Sequence, residues 1–282
     1  MSQIQSARFA PVAPIHILEQ LSRDVFGDYH LFLAHHVVEH KARFCNLVGA
    51  HQRLQPYSKP LTIIMDNSIV ELGGAVDDDM IRAAVMAVAP EPDKMLRVVP
   101  CLPDVMGDAM GTRDLSETAY ERWNIIGMNT ISKSGYMVVT QSATEEEFKH
   151  FVDFFFVQNR EHFKNITWVG IPRYMLQQGW SSRKWAIRYI RMVAPHLKIH
   201  LLGFSDDLVT DFLDSREEGV FGIDSAVPIR YDSPLKPTTT ADEIGKRGDW
   251  FENGRLTPHN VHNIINVRGW INRDLHNMYN RV

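Results

Sequence analysis

Short apolar runs that recur between helical stretches constrain this chain more than any other feature. His30–Ala34 precedes a helical pattern over Val37–His51, and Leu61–Met65 precedes one over Met80–Ala89. Leu96–Pro100, Tyr136–Thr140, Ile166–Val169, His200–Gly203 and Val220–Ile223 continue the series, with helical stretches at Glu145–Arg160 and Arg183–Val193. Runs this short and apolar suit strands covered on both faces, the environment of a parallel sheet. These seven strands, with an eighth expected within Arg113–Met128, predict an α/β fold of the (β/α)8 TIM-like barrel type, for which 282 residues suffice. An open doubly wound sheet is the alternative, but the G-x-G-x-x-G fingerprint is absent. Residues 1–235 are expected to form the barrel. The Pro/Thr/Gly-rich stretch 236–258 reads as an excursion, and Pro258–Tyr279 as a helix packed through Val261, Ile264, Ile265 and Val267, so that 236–282 is an appendage.

Catalytic groups of such a barrel gather at the C-terminal ends of its strands. Asp66 follows Leu61–Met65, Asp104 follows Val98–Pro103, Gln141 follows Met137–Thr140, Gly170 follows Trp168-Val169, and Asp224 ends the last run. Acids and an amide facing one pocket are costly to bury without partners, and they suit a substrate rich in N–H donors. An Asp after a strand equally serves as the N-cap of the next helix, which stays open for Asp66 and Asp104; Asp206 and Asp207 are expected to be cap residues or solvated. Asp77, Asp78 and Asp79 open a helix, where acids favour the dipole.

Gly219-Val220-Phe221-Gly222-Ile223-Asp224-Ser225-Ala226-Val227-Pro228-Ile229-Arg230, preceded by Leu201-Leu202-Gly203, resembles the nucleophile segment of the tRNA-guanine transglycosylase superfamily. Met65-Asp66-Asn67-Ser68, Asp104, Val139-Thr140-Gln141-Ser142 and Val169-Gly170-Ile171-Pro172 fall in the family's order over residues 30–232. The resemblance implies that Asp224 is a nucleophile and that Asp66 is a base or orients one. It implies that Asp104, Gln141, Gly170 and Ile171 hold a purine, with Asn67 and Ser68, in place of the family's Gly-Gly, also at the substrate. Independently of the resemblance, a barrel would set His35 or His36 at the mouth of its first strand, within reach of substrate. The three-cysteine-plus-histidine zinc site of the family is missing, and the chain resembles the compact DpdA-type relatives that place 7-deazaguanines in DNA. Implied partners are DNA, with tRNA as the alternative, a free 7-deazaguanine base such as preQ0, and an accessory protein that opens the strands. No cofactor or metal is implied.

A net charge of −4 means that any nucleic-acid surface must be local. Arg230 and Arg173, each shortly after a strand end, are candidates for phosphate contact. So are Lys184, Arg188 and Arg191, spaced along one helix face, with Arg183 beside them; Arg268 and Arg273 are weaker candidates. A solvated face is the plainer reading of the helix, with Trp185, Tyr189 and Met192 turned to the core. His36-Val37-Val38-Glu39-His40 matches the H-x-x-E-H signature of inverted zinc peptidases, a competing reading as a zinc-dependent hydrolase that requires a helix and a third ligand. A non-catalytic binding protein is a further alternative, opposed by the presence of both Asp66 and Asp224. With only Cys45 and Cys101, no membrane-spanning run and no signal-peptide pattern, the expected compartment is the cytoplasm, that of the host if the chain is phage-encoded.

Overall fold

The computed structural model describes residues 7–54, 60–67, 72–74, 77–88, 96–128, 134–205, 207–244 and 254–272. Its strands are β1 (Arg8–Pro11), β2 (Tyr29–Leu33), β3 (Leu61–Asp66), β4 (Leu96–Pro100), β5 (Tyr136–Val139), β6 (Ile166–Pro172), β7 (Lys198–Leu202) and β8 (Val220–Ser225). Every ladder is parallel, in a five-stranded sheet ordered β1-β8-β7-β6-β5 and a three-stranded sheet ordered β2-β3-β4. An isolated parallel bridge, Cys101 to Met137, links the two sheets after β4, and β1 packs beside β2. The fold is mixed α/β with helices between parallel strands.

Two apolar clusters follow from the alternation of side chains along each strand. The larger joins outward residues such as Ile63, Val98, Val138, Val169, Ile199 and Ile223 to the helices. The smaller is built from the strands alone: Ala10, Leu31, Ile64, Val99, Met137 and Trp168 are buried in it, with Leu202 and Phe221 at its margin. All strands β1 to β8 thus contribute to one inner cluster, and the residues on its upper rim are polar.

The eighth strand differs from expectation. Arg113–Met128 holds no strand among its described residues; Ala109–Ile125 is a helix capped by Asp108, whose side chain accepts from Gly111 N. Buried Thr112, Ser116, Ala119, Tyr120 and Trp123 recur at helical spacing, which outweighs the local apolar content. The missing strand is Arg8-Phe9-Ala10-Pro11, too short and too broken by Arg and Pro to stand out in sequence. Pro11 offers no N–H to a second neighbour, which fits a strand with a ladder only to β8.

Two expected helices are interrupted. The stretch after β2 divides into Ala34–Glu39 and Lys41–Leu54, with His40 at φ −112° and ψ 33° between them. Glu145–Asp153, opened by a Thr144/Glu147 capping box, passes into a π-helical turn at Phe154–Gln158. Pro258–Asn272 is helical and buries Ile264 and Val267, while Val261 is partly buried and Ile265 is half exposed. Residues 273–282, including Arg273, lie outside the described residues.

Candidate active site

Parallel strands open their C-terminal ends on one side, so residues that close the strands meet there. Asp66 ends β3, opposite Leu33 in register, and Asp224 stands near the end of β8 opposite Ala10. The thiol of Cys101, fully buried one residue beyond β4, marks where the acids converge. Burial pushes this thiol well above its ordinary value, and the charges of Asp66, Asp104 and Asp224 push it further; Asp66 also hydrogen-bonds to it. The charges of carboxylates from three separate strand ends therefore act on one side chain.

Asp104 is held in a bracket of amides. Asn67 Nδ2 donates to its Oδ1 and Gln141 Nε2 to its Oδ2, both at 2.5 Å. Asn67 Nδ2 also reaches Leu102 O at 3.1 Å, and Gln141 Oε1 lies 3.4 Å from Gly107 N, so both amides are oriented. Burial raises the Asp104 pKa, and the two amide donors pull it back. Because each amide occupies one site on one oxygen, a carboxylate here retains acceptor capacity on both oxygens. That geometry suits a planar ligand offering two adjacent N–H groups. Asp104 is not a helix cap, since Asp108 fills that role. Asp207 is one, accepting from Val209 N and Thr210 N, as the sequence suggests.

Among the described residues, Asp224 is anchored through one oxygen. Its Oδ1 lies 2.8 Å from His200 Nε2 and accepts from Gly203 N at 3.2 Å. Gly203, at φ +73°, adopts the left-handed conformation that favours glycine, and this turn aims its N–H at Asp224. Asp224 Oδ2 accepts no hydrogen bond among the described residues. The Asp224 side chain is 10% exposed while that of His200 is 0% exposed, so the acid reaches solvent and the imidazole lies behind it.

The remaining expected contacts divide. His35 sits half-buried in the first turn after β2; its Nδ1 is buried without a hydrogen-bond partner among the described residues, leaving it available to a ligand. Ser68 lies outside the described residues, as does Asp206. Asn67 braces Asp104 instead of standing free for substrate. The Gly170 carbonyl, expected at a heterocycle, accepts from Thr140 N at 3.0 Å and Thr140 Oγ1 at 3.2 Å. Ile171 turns its side chain into the outer core and gives its carbonyl to Arg183. Glycine at 170 has a packing reason: an added Cβ would come within 2.9 Å of Leu202 and 3.2 Å of Val139.

The expected basic face is largely committed elsewhere. Arg183 is completely buried: its Nη2 reaches Asp211 at 2.7 Å, and its Nη1 the carbonyls of Ile171, Leu202 and Gly203 at 3.2 to 3.3 Å. It is a post beneath β6 and β7, out of reach of phosphate. Lys184 and Arg188 pair with Glu217, and Arg191 donates to the carbonyls of Pro195 and Leu197 ahead of β7. Ala186, Ile187 and Ile190 form the buried stripe of Lys184–Val193, Trp185 and Tyr189 flank it, and Met192 is exposed, contrary to its expected core position. Arg268 is bound to the carbonyls of Val25 and Phe26. Arg173 remains exposed beside the site, packed over Gly203; with Leu176, Trp180, Ser205 and Thr210 it lines a cavity of about 200 Å³. Arg230 closes the short Val227–Arg230 helix after β8 and is half-buried.

For the His36/Glu39/His40 motif, the helix stops at Glu39, and the two histidine rings stand 6.4 Å apart. Burial, with His35 alongside, pushes His36 down to about 4. Among the described residues no group of three or more His, Cys, Asp or Glu side chains is arranged to hold a metal ion. No described helix is long and apolar enough to cross a membrane.

His200 and Tyr29 were missed from sequence, where both read as parts of apolar runs. The available signal was a histidine two residues before Leu202, and so on the same inward face of β7. Compared with known proteins, the chain matches no family model and no curated protein.

Proposed function

We propose that the eight strands close as a (β/α)8 barrel, and that this chain is a pentosyltransferase exchanging guanine in a nucleic acid for a 7-deazaguanine base. The barrel reading is supported by the inner cluster to which every strand contributes, and by the bridge between the two sheets. The reaction reading rests on one observation above all: one oxygen of Asp224 is restrained by His200 and the Gly203 N–H, and the other accepts no hydrogen bond among the described residues. This is the arrangement that a glycosyl-transferring carboxylate requires, combined with a separate acceptor for a planar base.

Asp224 Oδ2 attacks C1′ of the target nucleotide; the C1′–N9 bond breaks, and its electron pair leaves with guanine. Asp66 supplies the proton that the departing base takes up. It then removes a proton from the ring nitrogen of the incoming base, which attacks C1′ and releases the Asp224 carboxylate. Asp104, backed by Asn67 and Gln141, accepts the adjacent N–H groups of the purine-like edge, and a base lacking them leaves its remaining acceptor sites unfilled. Arg173, exposed after β6, is the residue assigned here to the phosphate next to the attacked sugar. DNA is the favoured polymer, because the zinc-binding cysteines of the tRNA-acting relatives have no counterpart in Cys45 and Cys101. A duplex target must be flipped out or presented single-stranded.

The test is base exchange by the full chain, with radiolabelled guanine and with preQ0, in single-stranded DNA, opened duplex DNA and tRNA. The expected result is label in DNA. No exchange into any of the three would overturn the reading, and label confined to tRNA would reassign the polymer.

A further inference from the structure

Behind Asp224 runs a chain of buried hydrogen bonds that the exchange reading does not require. Tyr29 Oη lies 2.6 Å from His200 Nδ1, and His200 Nε2 lies 2.8 Å from Asp224 Oδ1. Tyr29 is 1% exposed and His200 0%. The Tyr29 ring lies over Gly222, where an added Cβ would meet ring atoms at 2.3 Å, so β8 needs glycine there for the tyrosine to reach the histidine. Three strands, β2, β7 and β8, thus supply one residue each to this line.

Hydrogen positions follow from what each atom can do. A carboxylate oxygen accepts only, so the nitrogen facing Asp224 must carry the proton. That leaves Nδ1 of a neutral imidazole as acceptor, and the phenol as its donor. Burial and the Asp224 charge push the Tyr29 phenol well above its ordinary value, which keeps the donor protonated. The opposite tautomer would set a lone pair against a carboxylate at 2.8 Å, beside a fully buried imidazole.

We propose that Tyr29 and His200 are positioning residues: Tyr29 fixes the Nε2–H tautomer of His200, and His200 with Gly203 N–H pins Oδ1 of Asp224 so that Oδ2 alone faces the anomeric carbon. This rests on the exchange reading for its chemistry, but the tautomer is a property of the free protein. A restrained carboxylate loses less freedom on reaching the attack geometry, which is where a mispositioned nucleophile loses rate. Neither residue is expected to touch the base, since Asp104 with its amides lies on another strand end.

The experiment has two arms. In the substrate-free full chain, 15N-labelled histidine spectra are expected to show His200 as the Nε2–H tautomer, and Tyr29→Phe to turn this into a mixture. An Nδ1–H His200 in the unmodified protein overturns the clamp whatever reaction the protein performs. In single-turnover adduct formation on guanine-containing DNA, His200→Leu is expected to lose on the order of 10²-fold in rate, comparable to removing one preorganised donor. His200→Gln, which keeps a donor near the Nε2 position, should recover most of that rate, and Tyr29→Phe should lose about tenfold. Affinity for free base should be unchanged in all three, with thermal melting confirming the fold. Equal adduct rates in the Leu variant and the unmodified protein, or a Gln variant as slow as Leu, would overturn the proposal. The Nε2–H tautomer in a protein that exchanges no base would sink the exchange reading and leave the clamp standing.

Discussion

Two groups of buried carboxylates meet across Gly203, and they are satisfied in opposite ways. Below it, Asp211 and Asp214 gather around Arg183: Asp211 takes the guanidinium and the Ser205 N–H and hydroxyl, and Asp214 takes the Arg183 backbone N–H. Above it, Asp104 and Asp224 are held by two amides, a histidine and a backbone N–H, with no Lys or Arg among the described residues paired with them. Gly203 connects them, since its carbonyl accepts from Arg183 and its N–H donates to Asp224. The difference teaches what each group can do. An acid bound to a guanidinium and packed shut has its charge already spent; an acid held on one side by neutral donors can still form a bond or accept two more.

The largest expected effect falls on the upper group. Asp224→Asn keeps the shape and can still accept from Gly203, but removes the proposed nucleophile; exchange should drop by about 10⁴-fold or more, while the thermal midpoint stays within a few degrees. Near-normal exchange would erase the contrast between the groups. Asp104→Asn should raise the KM for the incoming base by about 10²-fold, with a smaller change in kcat, because one of two acceptors becomes a donor. Steady-state kinetics with varied base would read the split. Affinity for the base should also fall as pH drops through the raised pKa of Asp104, because the ionised form is the better acceptor.

The lower group should answer in stability. Arg183→Met leaves two acids buried without their cation, at a cost of about 3–5 kcal/mol in denaturant unfolding. It should also slow adduct formation, since the peptide that presents the Gly203 N–H loses its support. A variant of unchanged stability would mean that the lower group is not structural. The smallest effect belongs to Asp214, whose pKa burial raises to about 6 from 3.8. A raised acid binds its proton more tightly when folded, so its contribution is present below about pH 4 and is lost as pH rises through about 6. Asp214→Asn should flatten the melting-temperature profile over that window, and an unaltered profile would remove Asp214 from the linkage.

The same contrast explains what could be read in the sequence. Asp66, Asp104, Gln141 and Asp224 were legible because each follows an apolar run, and parallel strands must bring such residues to one side. Arg183 was not: its spacing matches the basic face of Lys184, Arg188 and Arg191, and only the approach of Asp211 and three carbonyls turns it inward. His200 was hidden for the opposite reason, since one polar residue in an apolar strand carries no sign of its partners until Tyr29 and Asp224 are folded around it. The first strand escaped because four residues containing Arg and Pro give no period to detect.

Trapping the covalent intermediate tests the central claim most directly. The full chain is mixed with a guanine-containing single-stranded oligodeoxynucleotide in the absence of free base, quenched in acid, digested and mapped by mass spectrometry. The account predicts a deoxyribose-linked peptide modified at Asp224, with release of one guanine per adduct. Guanine release or exchange with no adduct, or an adduct on any other residue, would contradict it.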